Sequence, residues 1–314
     1  MVTNPNISNF SPIKLEYLLP LAALFEGSFS IDWIVELAEM KPSQALFWLE
    51  EGIHRGLLAR MEPGLYCFSN LQERQNLRAN LPPEQQAQMH KKIVKLLLKD
   101  LPDDNNKAQA VASHLLYISN DLETLRWLLK AADSYRRIFR IEDALGCYTK
   151  VLNDLSNCEG EEYDLLFIET AIEYSEITTA RNIPKIVIPM LQEAMARAKK
   201  LDNQAYQALL EMHIAKNEWY LSHHSLALSH FEQGWSLAKK LGNPKLIRSA
   251  TTFSTFFLYW QGRFREAVLD YEKSAADVEK YPAGKFPLIA SLTMGRCYTH
   301  VGQITQGLGM VDSI

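Results

Sequence analysis

Apolar positions along the chain are spaced in helical steps, interrupted once. Three short runs, Ile13–Phe25, Ile31–Met40 and Ser43–Arg55, place apolar residues three or four apart, the period of helices with one buried face. A turn at Gly27-Ser28 separates the first two, and Pro42-Ser43 supplies a start signal for the third. Leu57–Met61 and Leu65–Phe68 then read as strands around Glu62-Pro63-Gly64, which has turn chemistry. Helical spacing resumes at Gln72–Asn80, Glu84–Lys99 and Lys107–Ile118. From there helices come in pairs: Thr124–Arg137 with Ile141–Leu155, Glu161–Thr179 with Pro184–Leu201, and Gln204–Leu221 with Ser225–Leu241. Lys245–Trp260 with Phe264–Glu279, and Pro287–Val301 with Gln303–Ile314, complete the series.

The pairs repeat with a period of about 40 residues, within the range of helical repeat arrays. Ala227, Phe231 and Gly234 precede Ala267, Tyr271 and Ser274 by this one step, and Gly262 precedes Gly302 by the same step. Ala198-Lys199-Lys200-Leu201 likewise returns as Ala238-Lys239-Lys240-Leu241. A fixed period of this length marks a stack of supersecondary units, each burying its apolar face against the next. The predicted fold class is therefore mainly α. Residues 1–12 form a disordered lead or linker, 13–80 a winged-helix-like domain (helix, helix, helix, hairpin), 81–120 connecting helices, and 121–314 a solenoid of helical hairpins. The last pair stops where its second helix should still be packing, so the chain is expected to be a fragment whose open end admits self-association.

Those hairpins resemble tetratricopeptide repeats of a degenerate, longer kind. Gly262, Phe264, Ala267 and Tyr271 stand on the family's marker positions, as do Ala132, Tyr135, Ala144 and Tyr148, and the match covers about the last two thirds of the chain. Glu211 and Glu218 depart from it, standing where a large apolar and an aromatic residue are usual, and Gly307 replaces the marker alanine. In the front third, Gly64-Leu65-Tyr66-Cys67-Phe68, Leu81-Pro82, and His90 with Ile93 and Leu96-Leu97 are similar to the segment joining a winged helix to helical repeats in large bacterial signal-transduction ATPases of the STAND type. Ser69-Asn70 stands where family members often carry His-Asp. The resemblance implies a nucleotide-binding module before the winged helix and repeats that sense an inducer or partner.

Composition narrows the function classes. The net charge of −4 attracts neither nucleic acid nor an anionic membrane, and no apolar run reaches spanning length, so a cytoplasmic protein is expected. Cys67, Cys147, Cys158 and Cys297 have no paired or metal-like spacing and read as reduced thiols. Gly284-Lys285 lacks the glycine and the Ser or Thr of a phosphate-binding loop, which places ATP binding, if any, outside this chain. His213, His223, His224 and His230 cluster in sequence, yet adjacent histidines at a turn diverge, and they read as solvated turn residues with no metal. No nucleophile sits in a recognisable catalytic setting, so no cofactor and no enzymatic activity are expected of the chain itself. The span from Ile13 to Asn80 carries six basic against nine acidic residues, and its third helix sets Glu50-Glu51 beside a single Arg55. That balance favours protein contact over DNA, although a free-standing DNA-binding transcription factor stays the alternative.

The candidate site comes from the resemblance and from spacing together. In tetratricopeptide-like stacks the first helix of each hairpin lines the concave face, which maps here onto Met212, Lys216, Trp219 and Tyr220, then Phe256, Tyr259 and Trp260, then Arg296 and His300. Phe256, Tyr259 and Trp260 are i, i+3 and i+4, and Lys216, Trp219 and Tyr220 show that spacing one repeat earlier, so each trio shares one helix face. Aromatics flanked by cations suit a protein or peptide with apolar anchors and acidic groups, or a small inducer. The same rings equally suit packing between hairpins.

Overall fold

The computed structural model describes residues 13–178, 183–278 and 288–312; the expected lead, the Gly284-Lys285 pair and the Ser274 side chain lie outside them. Contacts divide the chain into two compact units, up to Lys150 and from Val151.

The first unit opens α1 (Ile13–Ala22), β1 (Ser28–Ser30), α2 (Ile31–Ala38), α3 (Pro42–His54), β2 (Leu58–Glu62), β3 (Leu65–Phe68). The sheet order is β1-β3-β2, antiparallel throughout, with Phe29 opposite Tyr66 and Leu58 opposite Phe68. Helix, helix, helix, hairpin is thus present, with one strand more than the sequence pattern showed. β1 is three residues long, too short to display a period, and only its pairing with β3 identifies it. Phe29, Ile34, Leu49, Leu58 and Tyr66 are buried and make the core under this sheet. On α3, Trp48 and Leu49 turn inward while Leu46 and Phe47 stay exposed. The cations near α3 are engaged: Arg55 pairs with Glu51, and Arg60 of β2 with Glu50.

Helices follow: α4 (Leu71–Ala79), α5 (Pro83–Asp100), α6 (Asn105–Leu115), α7 (Leu122–Arg137) and α8 (Ile141–Leu155). Side-chain caps set several starts, since an oxygen placed before the first turn satisfies backbone N–H groups that have no partner in the helix. Asn70, Asp104 and Asp121 cap α4, α6 and α7 in this way. The marker residues Ala132, Tyr135, Ala144 and Tyr148 are all buried.

In the second unit α9 (Glu161–Ile177) packs on α10 (Pro184–Lys200), α11 (Gln204–Tyr220) on α12 (His224–Leu241), α13 (Pro244–Trp260) on α14 (Phe264–Val278), and α15 (Leu288–His300) on α16 (Ile304–Asp312). Residues with positive φ end helices at half-repeat steps, at Asp202, Ser222, Gly242 and Gly262, and again at Gly302 a full repeat later. The left-handed conformation reverses the chain after a helix, and glycine adopts it without strain. Between these stops the seams are built from small residues facing rings. Ala227 and Phe231 pack with Ala215 and Phe257, and one repeat on Ala267 packs with Leu258, Met294 and Tyr298. At Gly307 the helices come closer still: a Cβ there would lie 2.7 Å from the Gly295 carbonyl oxygen, which is why glycine replaces the expected alanine. One buried ionic cluster ties α9 to α10. The Asp164 carboxylate takes Arg197 at 3.2 Å and Lys200 at 2.9 Å, while Arg197 also donates to the Leu155 and Ser156 carbonyls. Buried charge is tolerated when paired and fully hydrogen-bonded in this way.

Candidate functional site

First helices of successive hairpins adjoin one another: α9 touches α11, α11 touches α13, and α13 touches α15. Side chains near their C-terminal ends therefore form one strip across the second unit, and the strip is polar at its α9 end. His213 Nδ1 shares a hydrogen bond with Ser175 Oγ at 3.1 Å, and Asn217 Nδ2 donates to the same oxygen at 3.3 Å and to the His213 carbonyl at 2.8 Å. Beside them Lys216 Nζ reaches the Ser175 carbonyl at 3.4 Å and lies 5.8 Å from the centre of the Phe253 ring. Burial lowers the Lys216 amine from 10.5 to about 8 against the opposing pull of Glu176. The enclosed His213 imidazole is held well below its ordinary value by burial, and Lys216 adds to the effect.

Beyond Lys216 the strip is aromatic and unbroken. Tyr220 and Trp219 of α11 meet Phe256 of α13 at 6.3 and 6.2 Å between ring centres, and Trp219 also meets Trp260 at 6.5 Å. Trp260 stands edge-on to Tyr259 at 5.5 Å, and Tyr259 lies 6.2 Å from His300 of α15. Offset and edge-on pairs at these separations are mutually attractive through the ring quadrupoles. Second helices brace the strip from behind at equivalent positions: His224 lies 4.3 Å from Trp219, and Phe264 stacks flat on His300 at 4.1 Å. Neither of these two braces, one repeat apart, was among the predicted site residues, although the period marks both.

Each predicted position can now be placed. Lys216, Trp219, Tyr220, Phe256 and Tyr259 are half-buried, Trp260 is 56% exposed, and Arg296 and His300 are exposed. Met212 is a correction: it is 0% exposed and packs with Ala208, Ala238, Leu246 and Ala250 in the α11–α12–α13 seam, where no ligand reaches it. One helical turn toward the N-terminus of α11 is enough to pass from the strip into the seam. Leu292, exposed one turn before Arg296, extends the strip on α15. His223 and His224 stand exposed at the turn, as expected of them, whereas His213 and His230 lie within α11 and α12. His213 is buried, His223 pairs with Glu218 at 2.7 Å and His230 with Glu211 at 2.6 Å. The two glutamates that break the repeat pattern are thus partners of histidines on the facing side of the same hairpin. Among the described residues no three His, Cys, Asp or Glu side chains are grouped to hold a metal ion, and no helix is long and apolar enough to cross a membrane. A depression of about 450 Å³ lies elsewhere, between the turns at Leu201–Ala205 and at Leu241 and Asn243.

No family model matches the chain, and no curated protein matches it. Among solved structures, a signal transduction ATPase with numerous domains and a tetratricopeptide repeat sensor, from Pyrococcus horikoshii, superposes with a TM-score of 0.54 at 17% identity, over 96% of this chain and 44% of that one. The fold is tetratricopeptide-like. This chain spans less than half the length of the archaeal ATPase. The Rap conjugation gene regulator of plasmid pLS20, solved in complex with a Phr peptide, superposes with a TM-score of 0.51 at 12% identity, over 94% of this chain and 73% of that one. At these identities the likeness is one of fold.

Proposed function

We propose that the chain is the sensor and protein-interaction region of a larger cytoplasmic signalling or transcriptional regulator. It holds a partner protein, a peptide or an inducer on the first-helix strip of α11, α13 and α15. The observation that carries this reading is Trp260: a large ring more than half exposed, set at the head of an aromatic series that is otherwise half-buried and braced. A fixed, solvent-facing tryptophan offers contact area at small entropic loss, and the exposed Arg296 and His300 beside the series orient acidic groups on the partner, with the enclosed Lys216 holding the polar end of the strip. Proteins of similar fold include an ATPase with a repeat sensor and a gene regulator solved with a peptide, which is the use proposed for this strip. On this reading the chain binds and does not catalyse, and residues 121–314 sense the partner. The winged-helix-like residues 13–80 contact other domains of the parent protein, since Glu50 and Glu51 occupy the arginines that DNA phosphates would need.

A displayed library of random 12-residue peptides tests it. Selected peptides should combine aromatic or aliphatic anchors with Asp or Glu, and should bind the Trp260→Ala and Arg296→Glu variants at least tenfold more weakly. Selection of no peptide, or of peptides indifferent to both changes, would overturn the assignment.

A further inference from the structure

The His90 and His114 rings, on α5 and α6, are both buried and face each other with their Nδ1 atoms 2.8 Å apart. That distance is a hydrogen bond, so one ring carries its proton on Nδ1 and the other offers a bare Nδ1 to accept it. The contacts around the pair come from four segments of the first unit. His90 stacks on Tyr117 at 4.8 Å between ring centres, and the Arg78 guanidinium of α4 covers Tyr117 at 4.0 Å. Phe25, just past α1, meets His114 edge-on at 5.6 Å and stacks in turn on Phe29 and Trp33. His90 Nε2 is buried without a hydrogen-bond partner.

The setting has no use for a second proton between the rings. A proton added to the accepting ring replaces the hydrogen bond by two opposed N–H groups and creates a charge in an apolar space. None of the interactions described for either ring is with a carboxylate, and the charge of Glu26, which follows Phe25, bears on Tyr135 and Arg140. On α2, which packs against α5, Glu36 and Glu39 are taken by Lys99 and Lys92 on the outer face of α5. From α7, which packs against α6, Lys130 is paired with Asp103, and Ser134 accepts from Gln109. On α6 itself Lys107 lies over Trp127, and from α4 the charge that bears on the pair is Arg78, which repels a further cation.

We propose that the His90–His114 pair is a proton-sensitive latch that holds α4, α5 and α6 together at neutral pH and releases them on acidification. Burial, with Arg78 adding to it, lowers His90 from 6.5 to about 4, and burial with the neighbouring His90 and Arg78 lowers His114 to about 3. Once opened, each ring takes a proton near pH 6.5. The stability the latch supplies is therefore full above pH 6.5 and is lost as the pH falls from there toward 4, because the open form binds more protons throughout that window.

The experiment follows the wild-type chain by side-chain ¹H–¹⁵N spectroscopy and by amide exchange. The latch predicts one Nδ1–H and one Nε2–H neutral tautomer, with neither ring titrating above pH 5. It also predicts protection factors over residues 83–115 that drop at least tenfold between pH 7 and pH 5, more than in α11 to α13. The double variant His90→Gln, His114→Gln, which cannot titrate, should reduce that drop to less than twofold. Titration of either ring near 6.5 in the folded chain, or unchanged protection of α5 and α6 at pH 5, would overturn the proposal, and both readouts stand even if the variant does not fold.

Discussion

α11 and α13 occupy the same place in consecutive hairpins, one repeat apart, yet they are filled with different chemistry. Where α13 presents Phe253, Phe257 and Leu258, α11 presents His213, Asn217 and Glu218. Phe257 is 0% exposed and meets Phe231 at 4.8 Å and Trp219 at 5.5 Å, so α13 is held by apolar burial. Asn217 is almost as buried but is held by hydrogen bonds to Ser175 and to its own helix, and Glu218 by its bond to His223. The period fixes where a helix lies and how close its neighbours come, while the chemistry at each equivalent position follows the partner it meets. A polar residue in a packed seam is acceptable where a second polar residue completes it.

The comparison breaks most visibly at its apolar end. Phe257→Ala should cost about 3–5 kcal/mol, the loss of a buried ring together with the cavity it leaves, measured as a shift in the urea unfolding midpoint. The equivalent change on α11 should cost less: Asn217→Leu, which removes the donor to Ser175 Oγ and to the His213 carbonyl, is expected at about 1–3 kcal/mol. Equal effects from the two variants would mean that α11 is held by shape and not by its polar network.

Much of this architecture was legible in the sequence, because it rests on spacing. Ile141–Leu155 and Leu65–Phe68 agree residue for residue with the pattern, and the helix starts at Pro184 and Phe264 do as well, each following a loop or turn. The three-residue β1 was not legible, since a strand of that length has no period to show. Nor was the fate of Met212. A first helix is buried on both flanks by its own hairpin and by the next, and i, i+4 spacing cannot say which narrow strip between those flanks stays open. The roles of His213, Glu211 and Glu218 were not legible for a related reason: their partners Ser175, His230 and His223 lie 38, 19 and 5 residues away, and only the pairing accounts for polar groups at these positions.

Lys216 sharpens the contrast through pH. Its equivalent on α13 is Phe256, so α11 encloses a cation where α13 has a ring. With its amine lowered from 10.5 to about 8, the folded chain binds fewer protons than the unfolded chain between those values, so stability should rise with pH across that window. The slope from this group is at most about 1.4 kcal/mol per pH unit. Lys216→Met should flatten the rise between pH 8 and 10 in a series of urea titrations; an unchanged slope would assign it to another group.

The smallest expected effect on stability belongs to Trp260, the residue on which the proposed binding strip depends most. Trp260 is 56% exposed, and its removal should move the unfolding free energy by no more than about 0.5 kcal/mol, as for other surface changes. The decisive measurement is therefore the affinity of Trp260→Ala for a library-selected peptide, taken with its unfolding midpoint on the same sample. The account predicts at least a tenfold loss of affinity with the midpoint unmoved. Retained affinity would contradict it, and so would loss of affinity accompanied by a collapse in stability like that of Phe257→Ala, because the ring would then be holding the hairpins together and not a partner.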